Sequence, residues 1–76
     1  MSIHSRISLL VEEVTTKLKG RKDKCWNREY DEKLMFHWEY DGNKVTDIHI
    51  DYNGIPFRDV DCRFYKSVIN KRLSLK

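Results

Sequence analysis

Ile3, Ile7, Leu10, Val11, Val14 and Leu18 recur at the three- and four-residue spacing of a single helical stripe. Ser2 stands where an N-cap side chain accepts a backbone N–H, and Gly20 stands just past the end, where a left-handed residue closes a helix. Lys17 and Lys19 fall in or beside the last turn, against the negative end of the helix dipole. The stripe therefore predicts a first helix from about residue 3 to residue 18, with Leu9 alone facing away from it.

Further along, the period changes to two. Leu34, Phe36, Trp38 and Tyr40 alternate with polar residues and predict a strand over 33–40. Thr46, Ile48, Ile50 and Tyr52 do the same over 44–52. A three-residue loop, Asp41-Gly42-Asn43 with Asn43 left-handed, pairs Phe36 with Ile48 and Leu34 with Ile50 and keeps the apolar faces together. Asn53-Gly54 is a second hairpin signal, setting Tyr52 against Ile55 and Ile50 against Phe57 in a short edge strand over 55–60, where Pro56 is tolerated. Asp59 or Asp61 then caps a final helix reaching about Leu75, with Phe64, Tyr65, Val68, Ile69 and Leu75 on its apolar side. Arg72 interrupts that side, so its stem snorkels or the helix frays before it. Residues 20–32 read as a polar connection; a helix through Trp26, Tyr30, Leu34 and Trp38 is the competing arrangement.

The expected fold is α+β, a single small domain over residues 1–76. Its order is α-β-β-β-α, a three-stranded antiparallel meander with two helices packed on one face. Ile7, Leu10, Val14, Phe36, Trp38, Ile48, Ile50, Phe57 and Val68 form the expected core. A chain of 76 residues supports one such core and no more. Nothing in it approaches the ~20 apolar residues of a membrane span, and its start lacks a secretory apolar stretch, so export and membrane partners are not expected. Two cysteines, Cys25 and Cys62, without metal-type spacing are expected to be free thiols in a reducing, cytoplasmic setting.

Charge is sorted along the chain. Residues 16–28 carry six bases against Asp23, residues 62–76 carry five bases and no acid, and residues 29–61 carry nine acids and three bases. In the expected topology both basic clusters meet at one end, with Asp41, Asp59 and Asp61 at the other. Helix-end compensation accounts for part of this. It does not account for Arg21, Lys22, Lys24 and Arg28, which surround Trp26 beyond the first helix. Bases interleaved with an aromatic suit phosphates or an acidic partner. The candidate binding residues are therefore Lys17, Lys19, Arg21, Lys22, Lys24, Trp26, Arg28, Lys71, Arg72 and Lys76.

Asp47, His49 and Asp51 alternate on the polar face of the second strand, with His37 and Glu39 beside them. In the expected register His37 faces Asp47, an ordinary cross-strand pair on a flat solvated surface, so neither metal nor cofactor is expected there. No nucleophile–base set, glycine-rich phosphate loop or zinc motif occurs, and an enzyme is not expected.

The element order resembles that of double-stranded-RNA-binding domains. Asp61-Cys62-Arg63-Phe64-Tyr65-Lys66 stands where that family has a lysine-rich helix start, so acid replaces base at the phosphate contact and no residue roles carry over. The chain lacks Ala and Gln and has nine Lys, six Ile and four Asn, a bias that an AT-rich gene produces. Small size, absent catalytic motifs and a polarised surface resemble phage or mobile-element inhibitors of host systems, anti-CRISPR proteins among them. The expected function is a non-enzymatic inhibitor or accessory factor acting on a protein or nucleoprotein partner, with direct RNA or DNA binding as the alternative.

Overall fold

The computed structural model describes residues 2–75. Helix α1 (Ile3–Leu18) is followed by strands β1 (Cys25–Asp31), β2 (Leu34–Tyr40), β3 (Val45–Tyr52) and β4 (Ile55–Pro56), and by helix α2 (Asp59–Leu73). The fold is α+β, with one antiparallel sheet in the order β1-β2-β3-β4. It contains one strand more than the sequence pattern predicts. Of the segment read as a connection, residues 20–24 do form a loop, but residues 25–31 are β1, paired along its whole length with β2 from Cys25 opposite Tyr40 to Asp31 opposite Leu34. The competing helix through Trp26 and Tyr30 does not form.

Helix α1 ends where its sequence predicts. The Ser2 Oγ accepts the Ser5 N–H at 3.2 Å. Gly20 takes φ 80°, turning the chain so that the Arg21 N–H reaches the Leu18 carbonyl. Helix α2 starts differently. Its N-cap is Arg58, which makes no side-chain cap; Asp59 and Asp61 lie inside the first turn, where their charge opposes the dipole without capping it.

Both helices cover the same face of the sheet. Ile7, Leu10, Val11, Val14 and Leu18 of α1 and Ile69 of α2 close over Leu34, Phe36, Trp38, Tyr40, Val45, Ile48 and Ile50. Phe57 and Val68, expected in the core, are only partly buried at its margin. Phe64 is exposed because the covered side of α2 is the stripe through Cys62, Tyr65, Ile69 and Leu73, and Leu75 is exposed beyond the helix, which ends at Leu73.

The β2–β3 register departs from the expected one by two residues over most of its length. Phe36 pairs with Ile50, Leu34 with Tyr52 and Trp38 with Ile48. A shift of two keeps every side chain on its face, so the hydrophobic pattern alone did not distinguish the registers. The connection is four residues, 41–44. The Asp41 carboxylate accepts the N–H groups of Asn43 and Lys44 at 2.8 Å each, and the left-handed residue is Gly42 rather than Asn43. A bulge opposite Glu39 and Tyr40 absorbs Thr46, which lies exposed, and Val45 takes the core position instead. The second hairpin turn is as predicted, with Tyr52 opposite Ile55 and both Asn53 and Gly54 at positive φ, but the strand expected over 55–60 is limited to Ile55–Pro56 because α2 already begins at Asp59.

Strand β4 is too short to shield the outer edge of β3, and a side chain completes the task. The Asn70 Oδ1 accepts the Val45 N–H at 2.7 Å while its Nδ2 donates to the Val45 carbonyl at 3.0 Å, as a neighbouring strand would. This pair also fixes where α2 sits along the sheet. Asn70→Ala leaves both groups without a partner and is expected to destabilise the protein by about 2 kcal/mol, measured by urea unfolding. A change below about 0.5 kcal/mol, the level of an ordinary surface substitution, would show that this amide does not anchor α2.

Candidate functional site

The extra strand redistributes the predicted basic surface. Each strand reverses direction, so inserting β1 brings the start of β1, the end of β2 and the start of β3 to the end of the sheet where α1 terminates. Asn70 brings the last turn of α2 to this end as well, because it binds Val45. Lys19, Arg21, Lys22 and Lys24 are exposed here, joined by Lys44 and Lys71. Asp41, expected at the opposite end, also lies here, since the tip of its hairpin is turned the other way.

The loop between α1 and β1 has a fixed backbone under free side chains. The Tyr40 hydroxyl donates to the Arg21 carbonyl at 2.7 Å. Beside it, the Lys22 carbonyl lies against Gly42, where any Cβ would strike the Lys22 backbone oxygen. Arg21 itself reaches Asp23 at 3.3 Å, an exposed pair of little energetic consequence. Holding the backbone reduces the conformational entropy that binding would otherwise have to remove.

Other members of the predicted set go elsewhere. Lys17 pairs with Glu29 on the helix-covered side of the sheet. Trp26 and Arg28 belong to β1 and project from the bare face, Trp26 opposite Glu39 and Arg28 opposite His37. Trp26 is 64 % exposed and Tyr30, two positions beyond Arg28, is 69 % exposed, so two aromatics flank one guanidinium on the edge strand. Arg72 lies beside Ser8, Val11 and Val68 in the groove between the helices. Lys76 lies outside the described residues. Lys44 was missed because it reads as the first residue of a strand; its position after Asp41-Gly42-Asn43 was the available signal.

The bare face carries three rows of side chains: Trp26, Arg28 and Tyr30; then Met35, His37 and Glu39; then Asp47, His49 and Asp51. His37 Nε2 lies 3.5 Å from Glu39 Oε2, and His49 Nε2 lies 3.1 Å from Asp51 Oδ1. The Trp26 ring sits 5.9 Å from that of His37, tilted by 48°. The Nδ1 of His37 is buried without a hydrogen-bond partner, which leaves Nε2 as the nitrogen available to a ligand.

The cysteines are free and on separate elements. Burial pushes the Cys62 thiol above its ordinary range, and the nearby charges of Asp59, Asp61 and Asp47 add to the effect against an opposing backbone hydrogen bond from Ile50. A thiol so placed is a poor nucleophile. Among the described residues no helix is long and apolar enough to cross a membrane. No protein-family model, curated protein or solved structure matches the chain.

Two measurements test the built loop. Gly42→Ala must place a Cβ at φ 99° against a backbone oxygen and is expected to cost about 2 kcal/mol and to raise amide exchange through residues 20–24. Unchanged exchange would mean that the two loops are independent. The Asp41 carboxyl is held below the ordinary carboxylate range by the Lys44 and Asn43 N–H groups. Its folded-state pKa is lowered, so its stabilisation is present above the unfolded-state pKa and is lost as pH falls through the folded one. Carboxyl NMR titration is expected to show Asp41 titrating below the ordinary aspartate range, and Asp41→Ala should remove that part of the acid sensitivity.

Proposed function

We propose that this chain is a small cytoplasmic binding protein without catalytic activity. It acts as an inhibitor or accessory factor, of the phage or mobile-element anti-defence type, on a protein or nucleoprotein partner. The observation that carries this reading is the loop between α1 and β1. Its backbone is fixed by Tyr40 and Gly42 while Lys19, Lys22 and Lys24 extend into solvent beside the exposed Arg21–Asp23 pair. Lys44 and Lys71 enlarge the same end. Such an arrangement accelerates encounter with an acidic surface and adds little ordering cost on docking.

Asp23 and Asp41 among these bases favour an acidic protein surface over a continuous phosphate backbone. A second reading uses Trp26 and Tyr30 around Arg28 as a stacking platform for single-stranded nucleic acid. Glu39, Asp47 and Asp51 beside them repel phosphates, which makes this the weaker reading.

The deciding experiment compares wild type with the Lys19, Arg21, Lys22 and Lys24→Gln variant against RNA and DNA over a salt series. The same proteins serve as bait in host extract with and without nuclease. Bare nucleic acid should bind no better than the ~10⁻⁴–10⁻⁶ M typical of non-specific contact, and a protein partner should survive nuclease and be lost with the variant. Nanomolar binding to bare RNA or DNA that the variant abolishes would replace the first reading with the second.

A further inference from the structure

On the bare face the corrected register sets two carboxylates opposite one another. Glu39 pairs with Asp47 and His37 with His49, whereas the register expected from the sequence would have set His37 against Asp47. Like charges directly across a strand pair repel, and the side chain the sheet sets beside them is His37, whose Nε2 lies 3.5 Å from Glu39 Oε2. Among the described residues neither carboxylate forms an ion pair with a lysine or arginine. Asp47 is the residue that follows the bulged Thr46, so the bulge itself brings the second carboxylate to this position.

One ligand atom from each of His37, Glu39 and Asp47 lies within 4.8 Å of the others. Around a tetrahedral ion with bonds of about 2.0–2.1 Å, ligand atoms stand about 3.4 Å apart. Small rotamer changes of two exposed carboxylates cover that difference, while the more deeply set imidazole stays in place. His49 turns away toward Asp51, which leaves His37 as the imidazole facing the acidic pair. Trp26, against the His37 ring, restricts the ring's rotation on the side of β1.

We propose that His37, Glu39 and Asp47 form a binding site for a divalent transition-metal ion, with Zn²⁺ as the matching case. Mixed imidazole and carboxylate donors select Zn²⁺ over Mg²⁺ and Ca²⁺, which take oxygen alone. The ion removes the repulsion between Glu39 and Asp47 and ties β2 to β3 beside the bulge. Solvent fills the remaining coordination positions, because the face is open. With no acceptor on Nδ1 the imidazole lacks the usual second partner, so the site binds its ion reversibly rather than as a permanent structural centre.

The test is calorimetric titration of the chelator-treated full chain with Zn²⁺, together with thermal melts. One ion per chain should bind and raise the melting temperature, with Mg²⁺ doing neither. His37→Gln and Asp47→Asn should each weaken Zn²⁺ by at least about tenfold, and His49→Gln should leave it unchanged. Asp47→Asn also reports independently of metal: by removing the like-charge pair it should raise the melting temperature of the metal-free protein while abolishing the Zn²⁺-dependent rise. Absence of binding heat and thermal shift at stoichiometric Zn²⁺ would overturn the proposal, as would equal binding by His37→Gln or an equal loss with His49→Gln.

Discussion

Leu34, Phe36, Trp38 and Tyr40, alternating along β2, are the row on which α1 rests, while α2 lies on β3 beside it. All four are buried, and their strict period of two commits one side of the sheet to the core. With two helices on that side and none on the other, every intervening residue of β1, β2 and β3 is left on a bare face. The site chemistry follows from this division. Tyr40 joins core and loop: its ring closes the core and its hydroxyl holds the basic loop, so the stability of the domain and the presentation of that loop are linked through one side chain.

Helix α1 meets the edge strand through charge rather than apolar packing. Arg6 reaches Glu32 at 2.8 Å and Asp31 at 3.8 Å, and Lys17 meets Glu29. This explains why β1 was illegible in the sequence. Its partly covered positions are Cys25, Glu29 and Asp31, while its aromatics Trp26 and Tyr30 face solvent, the inverse of the pattern that identifies a half-buried strand. The turn that follows has no Gly or Asn; Glu32 adopts φ 55° under tertiary constraint. Helix α1, β2 and the Asn53-Gly54 hairpin were legible because propensity, period and turn chemistry agree there.

The basic end was only partly legible for the same reason. The residues of the loop after α1 were identifiable as exposed bases, and the structure fixes their backbone through partners distant in sequence, Tyr40 and Gly42. Trp26 and Arg28 separated from them once β1 formed. Missing one strand reversed every later direction along the sheet, which moved Asp41 from one end to the other. The two-residue register difference had a further effect on the bare face. A purely hydrophobic criterion cannot detect it, yet it determines which polar groups confront each other.

The Asn70 amide has a consequence for association between chains. Along the outer side of β3, Tyr52 is paired by β4, the Ile50 carbonyl accepts the Phe57 N–H and Val45 is occupied by Asn70. Three of the outward-facing residues on that side are thus engaged within the chain, which leaves no uninterrupted edge for another strand. On the opposite side β1 exposes a full-length edge, and its own Asn27 occupies the Arg28 N–H there. A sheet with one closed edge is a chain terminator: pairing through β1 joins two molecules around a two-fold axis and stops, because the dimer presents no second edge. Asn70 therefore limits strand-to-strand growth to a pair and denies it the repeating contact a fibre requires.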